Sequence, residues 1–206
     1  MKHTLLIRFG GLAAMVGGVA SATLGLLYVL QARGVTLGSI ENALQKGNYE
    51  NPVLTVLLIG VLIAIAALHA TQRRHYGLPG ALASLAAFAG VAMSVGGNLL
   101  GELGLTIAPV AMLLLLAGIL AASVGIVGLG IATLEARVLP RWCGAALIAG
   151  SPPAVGLEFM FLGLLGAAGI LPGEIVWALV GVPWVLVGYA LFRARTHRAL
   201  QPSRVR

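Results

Sequence analysis

The stretch Arg141–Leu171, RWCGAALIAGSPPAVGLEFMFLGLLGAAGIL, decides the fold that the sequence predicts. It is long enough to cross a bilayer as a helix, because about 20 apolar residues span the hydrocarbon core. Ser151, Pro152 and Pro153 break it, since proline donates no backbone hydrogen bond and restricts the residue before it. Five residues past the second proline lies Glu158, the carboxylate that we place deep inside an apolar segment. The stretch therefore predicts a kinked transmembrane helix that carries a buried acid.

Composition extends this prediction to the whole chain. Of its 206 residues, 59% are hydrophobic and 9% are charged, whereas soluble domains carry about 25% charged residues. A single cysteine, Cys143, excludes an internal disulfide and a multi-cysteine metal site. The four histidines are scattered and form no ligand pattern: His3, His69, His75 and His197. We therefore expect an integral membrane protein with no metal and no cofactor.

Six apolar runs predict one all-α domain over residues 1–206, a six-transmembrane-helix bundle. The predicted spans are 9–31, 52–70, 80–101, 105–134, 142–170 and 175–192, followed by a basic cytoplasmic tail, 193–206. At about 1.5 Å of rise per residue, helices of these lengths match a hydrocarbon core of roughly 30 Å. In the loop after the first span, Ser39 is placed to cap a short surface helix that ends at Gly47. A packed connector explains the same residues and is the plainer interpretation.

The basic residues predict which way the bundle faces. With the N-terminus in the cytoplasm, 11 of the 13 Lys and Arg residues fall on the cytoplasmic side, and Arg33 and Lys46 fall outside. This distribution obeys the positive-inside rule, so we expect both termini in the cytoplasm. Contacts with the lipid bilayer, including anionic lipids, are worth about 1 kcal/mol per basic residue near the surface. The expected interface anchors are Arg73, Arg74, Arg137, Arg141 and Trp142.

Small residues at four-residue spacing predict how the helices pack. Lipid gives little hydrophobic drive between helices, so close backbone contact through small side chains holds them together. The expected packing residues are Gly18, Ala22, Gly90, Gly118 and Gly125. The same spacing serves packing within one chain and a seam between copies, so a homo-oligomer or another membrane-protein partner stays open.

The candidate intramembrane polar site consists of Glu158, Asn98, Glu102, Ser94 and His69. Ser94 and Asn98 share a face of the third span, and Glu102 follows Asn98 by one turn. No Lys or Arg lies deep in a span to neutralise Glu158, so this acid either stays protonated or faces a wet cavity. We hypothesise that Asn98, Glu102 and Glu158 line one outward-facing pocket. His69, at the inner end of the second span, is either a proton relay or an interface residue.

The sequence contains no catalytic motif. It lacks a paired-histidine metal motif, the G-x-S-x-G elbow, a phosphate-binding glycine–lysine loop and the acid pair of a membrane protease. We therefore expect no enzyme. No aromatic–basic pattern accompanies the arginines, so nucleic acid is not an expected partner. Two functions remain, a non-enzymatic membrane subunit or scaffold, and a small solute- or proton-coupled transporter or solute-binding module that uses Glu158.

The turn Leu139-Pro140-Arg141-Trp142-x-Gly144 resembles a turn found in small uncharacterised multi-pass proteins of bacteria. This resemblance covers the turn and the general layout, and it implies a bacterial cytoplasmic membrane and no particular activity. The layout is also similar to that of the substrate-binding subunits of energy-coupling vitamin transporters. No ligand-binding motif of that group is visible in this chain, and a shared layout does not imply a shared function.

Overall fold

The structure, a computed structural model, describes residues 2–35, 50–151 and 176–193. These residues form six α-helices and no strand, which confirms the all-α prediction. The helices are α1 (Lys2–Ala32), α2 (Glu50–Gln72), α3 (Gly77–Glu102), α4 (Ala108–Ala136), α5 (Arg141–Ala149) and α6 (Val176–Arg193).

Four of these helices are long and apolar enough to cross a membrane. The apolar segments are Leu5–Leu27, Pro52–Gln72, Gly77–Glu102 and Pro109–Ala136. In three of them 33% of the most apolar window is buried inside the bundle, and in the second 39% is buried. Most of their apolar surface therefore faces outward, which soluble proteins rarely allow over so large an area. The described residues thus have the character of a membrane protein.

The six helices form a closed ring. Each helix packs against the next one in the sequence, and α1 also packs against α6. Neighbours are antiparallel: within the α3–α4 pair, Gly90 lies against Ala122 whereas Gly97 lies against Leu115. One end of the ring, which we call the basic end, carries the exposed residues Arg8, Arg73, Arg74, Arg137, Arg141 and Arg193. The other end, called the Glu102 end, carries Glu102 and Arg33.

Glycine allows several of the helix pairs to approach closely, the α3–α4 and α1–α6 pairs among them. A Cβ atom on Gly90 or Gly125 would collide with the backbone of the facing helix in the α3–α4 pair. A Cβ on Gly18 of α1 would lie 2.5 Å from the carbonyl oxygen of Gly181 in α6. Backbone contact of this kind gives the dispersion energy that holds helices together in lipid. The residues expected to pack face another helix of the same chain: Gly18, Ala22, Gly90, Gly118 and Gly125.

The helix that begins the predicted fifth span is short. α5 ends at Ala149, and the Ser151 hydroxyl donates a hydrogen bond to the carbonyl oxygen of Ile148 at 2.5 Å. The helix ends just before Pro152, which disfavours helical geometry in the residue preceding it. Several predicted features lie outside the described residues: Pro152, Pro153, Glu158, the surface helix that ends at Gly47, and residues 194–206 of the tail.

The buried apolar core of the described residues receives side chains from all six helices. Its largest fully buried apolar side chains come from α2, α4, α5 and α6: Ile65, Leu68, Leu129, Leu147 and Leu191. Trp142 lies at the start of α5 and is 42% exposed, at the level of the basic end. A partly exposed Trp at this position suits an interfacial aromatic belt.

Candidate functional site: a polar cleft at the Glu102 end

Three polar side chains meet where α2 and α3 pack at the Glu102 end. The Asn98 side-chain amide donates to the Thr55 hydroxyl at 2.7 Å and to Glu102 Oε1 at 3.1 Å. The Thr55 hydroxyl also lies 3.5 Å from Glu102 Oε1, which is long for a hydrogen bond. We call Thr55, Asn98 and Glu102 the open cluster. It links two helices through one amide group.

The local sequence fixes these positions. Asn98 and Glu102 are four residues apart in the last turns of α3, so their side chains are neighbours on one face. α3 then ends in a left-handed Gly104, with φ of 64°, and the Leu105 N–H donates to the carbonyl of Leu100 at 3.0 Å. This is the geometry of a glycine C-cap. It ends α3 at Glu102.

The open cluster borders a cleft of about 290 Å³ between the end of α3 and the start of α4. The lining residues are Gly97, Asn98, Gly101, Glu102, Thr106, Ala111, Met112 and Leu115. Asn98 is 8% exposed, whereas Glu102 is exposed. The cleft therefore has an inner wall with a nearly buried amide and an accessible carboxylate at its rim.

No described arginine pairs with Glu102, whose polar contacts within that part of the chain are the neutral Asn98 and Thr55 side chains. The carboxylate also lies in the last turn of α3, where the helix dipole places partial negative charge. An ionised Glu102 would add to that charge rather than compensate for it. The cleft is thus suited to a cation or to a group with several hydrogen-bond donors.

The sequence placed Ser94 on the same face as Asn98, but the structure gives it another environment. Ser94 is 1% exposed, and its hydroxyl lies 3.1 Å from the carbonyl of Gly90 and 3.4 Å from that of Leu115. Both acceptors belong to the α3–α4 contact. The single hydroxyl proton of Ser94 can bond only one of these carbonyls at a time, and both lie within the helix contact, so Ser94 contributes to helix packing. It is not one of the residues that line the cleft.

His69 lies near the basic end, far along α2 from Thr55. Its Nδ1 is 2.5 Å from the Tyr76 hydroxyl, in the turn that joins α2 to α3. Tyr76 is 8% exposed. Burial raises the pKa of Tyr76 above its ordinary value of 10.0, and a hydrogen bond with Ser84 lowers it by less. His69 therefore fixes a buried turn residue and has no part in the open cluster.

A second polar pair was not foreseen from the sequence. Gln72, at the last position of α2, is fully buried, and its side-chain oxygen lies 3.1 Å from the Thr133 hydroxyl of α4. The Thr133 hydroxyl is also 2.8 Å from the carbonyl of Leu129. Within the described chain the other amide atom of Gln72, Nε2, has no hydrogen-bond partner. We call Gln72 and Thr133 the closed cluster.

Thr55 was likewise missed. The signal was present, because Thr55 is a hydroxyl residue in the first turns of an otherwise apolar span. Such a hydroxyl is common in membrane helices and usually bonds its own backbone, so sequence alone did not connect it with Asn98. The contact depends on how α2 and α3 are aligned. Glu158, the third residue of the hypothesised pocket, lies outside the described residues.

The described residues thus provide one open polar cleft and one enclosed amide–hydroxyl pair. The cleft can accept hydrogen bonds and hold positive charge, and it lies at one end of a span. Comparison with protein families, with curated proteins and with solved structures found no match to this chain.

Proposed function

We propose that this chain is a six-span protein of the bacterial cytoplasmic membrane with both termini in the cytoplasm, acting as a non-enzymatic membrane subunit or scaffold. The observation that carries the proposal is the sorting of charge between the ends of the ring. Of the described arginines, Arg33 lies at the Glu102 end and six lie at the basic end. In bacterial membranes the end richer in Lys and Arg stays in the cytoplasm.

The construction of the ring supports a subunit rather than an enzyme. Its close helix contacts are made by glycine and alanine backbones, and its polar side chains are few. The expected partners are anionic lipids at the basic end, together with another membrane protein or a second copy of the chain. Each arginine near an anionic surface contributes about 1 kcal/mol to lipid contact.

The topology is tested by single cysteines placed at Arg74 and at Leu105 on a Cys143→Ser background. Both positions are exposed and lie between helices, one at each end of the ring. In intact cells a membrane-impermeant thiol reagent should label position 105, and it should label position 74 only after permeabilisation. Labelling of position 74 from outside would show the opposite orientation and would reject the proposal.

A second candidate function, a small solute- or proton-coupled transporter or solute-binding module, is favoured by one observation. Asn98 and Glu102 of the open cluster line a cleft of about 290 Å³, and Asn98 is nearly buried there. In this alternative Glu158 titrates in a polar pocket, because an intramembrane acid is by default a functional group.

The substitution Glu158→Gln separates the two candidates. In a transporter or binding module it should abolish pH-dependent binding or transport, because a glutamine cannot exchange the proton. In a subunit or scaffold it should leave folding and assembly unchanged. Gentle solubilisation adds a second criterion: a retained small molecule supports the module, and a protein retained in fixed proportion supports the subunit.

A further inference from the structure

We propose that the cleft beside the open cluster binds a primary ammonium group, with the attached carbon atoms against its apolar wall. This inference rests on the second candidate function, the solute-binding module, and names the ligand class of that same site. It follows from four properties of the described residues: free acceptors, uncompensated charge, size, and the absence of aromatic rings.

The hydrogen bonds already made leave acceptors facing the cleft. The Asn98 amide nitrogen is committed to Thr55 and Glu102. An ionised Glu102 can only accept hydrogen bonds, so the amide nitrogen of Asn98, rather than its oxygen, must face Glu102 Oε1. Within the described chain, no hydrogen bond reaches Asn98 Oδ1, Glu102 Oε2 or the Thr106 hydroxyl. An ammonium group carries three N–H donors, which matches three such acceptors.

Charge selects a cation over a neutral donor. Glu102 forms no ion pair with the described arginines, and it lies at the negative end of the α3 dipole. A bound ammonium group would compensate that carboxylate. Charge-assisted hydrogen bonds are about twice as strong as neutral ones, so the carboxylate should dominate the affinity.

Size selects an organic cation over a bare ion. The cleft of about 290 Å³ is far larger than the roughly 30 Å³ that a water molecule occupies in the liquid. Ala111, Met112 and Leu115 form its apolar side. A metal ion would leave that wall in contact with water, whereas a short alkyl chain next to the ammonium group would cover it.

The lining also separates primary from quaternary ammonium groups. Quaternary groups lack N–H donors, and proteins hold them in cages of aromatic rings. The residues that line this cleft include no Phe, Tyr or Trp. Recognition therefore has to come from hydrogen-bond acceptors, which a quaternary ammonium group cannot use and a primary one can.

Two sources present this chemistry, a free amine and the ethanolamine headgroup of a phospholipid. Glu102 is the last residue of the apolar segment Gly77–Glu102, so the cleft lies at headgroup depth in a bilayer. Met112 is 53% exposed, so the apolar wall continues to the lipid-facing surface. The shared element is the primary ammonium group, and the source is decided by experiment.

The test uses the full chain in nanodiscs of phosphatidylcholine and phosphatidylglycerol, without phosphatidylethanolamine. Ethanolamine or choline is added at matched ionic strength, and the unfolding temperature is measured. Ethanolamine should raise it, because a ligand that binds the folded state stabilises it by mass action, and choline should not. Equal shifts from both amines would overturn the proposal. So would the absence of any shift from ethanolamine both in these nanodiscs and in nanodiscs that contain phosphatidylethanolamine.

Variants locate the effect. Glu102→Gln should weaken ethanolamine binding by about tenfold or more, the loss expected for one charge-assisted contact. Thr106→Val should weaken it a few-fold, since it removes one neutral acceptor. The control is Glu135→Gln, which changes an exposed glutamate near the basic end and should bind as the wild type does. Wild-type affinity in folded Glu102→Gln would overturn the proposal. If that variant does not fold, unchanged affinity in Thr106→Val would do so.

A parallel series in nanodiscs that contain phosphatidylethanolamine identifies the source. The lipid headgroup is supported if the unfolding temperature is higher in nanodiscs with phosphatidylethanolamine than in those without it, and if added ethanolamine does not raise it further. An unchanged response would support a free amine. If ethanolamine fails in both membranes while Glu158→Gln still abolishes pH-dependent transport, the ligand class is wrong and the transporter candidate stands.

Discussion

The closed cluster and the open cluster join helices in similar ways but differ in their access to water. Both place a side-chain amide against a threonine hydroxyl on another helix, at 3.1 Å for Gln72 and Thr133 and at 2.7 Å for Asn98 and Thr55. The closed cluster is enclosed, and Gln72 is fully buried. The open cluster borders a cleft and includes an exposed carboxylate.

This difference separates stability from binding. One hydroxyl proton of Thr133 faces two oxygens, those of Gln72 and Leu129, so it can satisfy only one at a time. A buried amide left short of partners costs about 1–3 kcal/mol. In the open cluster, spare acceptors can reach water or a ligand at little cost. The closed cluster therefore affects folding energy, and the open cluster is available for recognition.

The largest expected effect comes from charging the closed cluster. Gln72→Glu should lower the free energy of unfolding by about 3 kcal/mol, because an ionised carboxylate at this fully buried position loses its hydration. The reverse substitution in the open cluster, Glu102→Gln, should lower the free energy of unfolding by less than about 1 kcal/mol, since Glu102 is exposed. Reversible unfolding in mixed micelles measures both. Equal losses would show that the two clusters do not differ in solvent access.

A second prediction concerns the α3–α4 contact that supports the cleft. Gly90→Ala should lower the free energy of unfolding by about 2 kcal/mol, because the added methyl group would meet the backbone of α4. The matched control is Gly96→Ala on the same helix, where no atom lies within 4 Å of the added Cβ. That change should be neutral or stabilise by up to about 1 kcal/mol, since alanine favours helices. A similar loss in both variants would show that helix propensity, not contact, decides the result.

The third prediction compares the two threonines directly. Thr133→Val should cost about 2 kcal/mol, because it leaves both amide atoms of buried Gln72 without a partner. Thr55→Val should cost about 1 kcal/mol, since Asn98 keeps its bond to Glu102. Chemical unfolding of the two variants in one detergent gives the comparison. A greater loss from Thr55→Val would reverse the assignment of roles.

The smallest effect should be a dependence on alkaline pH near the basic end. Because burial raises the pKa of Tyr76 above 10.0, the folded state holds the phenol proton more tightly than the unfolded state does. The stability that this adds is fully present below the unfolded pKa and is lost as the pH rises through the folded pKa. Unfolding measured between about pH 8 and about pH 11 should show this decline. Tyr76→Phe should remove that part of it, and an unaltered slope would exclude Tyr76 as the source.

Sequence reasoning could predict the long apolar helices and two of the three residues of the open cluster. Asn98 and Glu102 were placed one turn apart by helical periodicity, and the structure joins them. Thr55 could not be assigned to them, because the register between two apolar helices leaves no periodic trace in a single sequence. For the same reason the contact between Gln72 and Thr133 was not predicted, since these residues are 61 positions apart.

Helix ends were harder to predict than helices. The third span was expected at 80–101, and α3 covers Gly77–Glu102, because Pro79 is tolerated in a first helical turn. The fifth span was expected as one kinked segment over 142–170; helix α5 ends at Ala149, and residues 152–170 lie outside the described part of the chain. Hydropathy measures how apolar a segment is and carries little information on where its helical backbone hydrogen bonds end. The break at Ser151 was visible in the sequence as two prolines.

The contact between α1 and α6 sets an order of events during biosynthesis. α1 leaves the ribosome before the other described helices, yet the helix that covers its Gly11, Gly18 and Gly25 face is translated after residue 175. Until then the other five described helices can form at most an open arc. Ring closure is therefore a late step, after α1–α5 have been inserted.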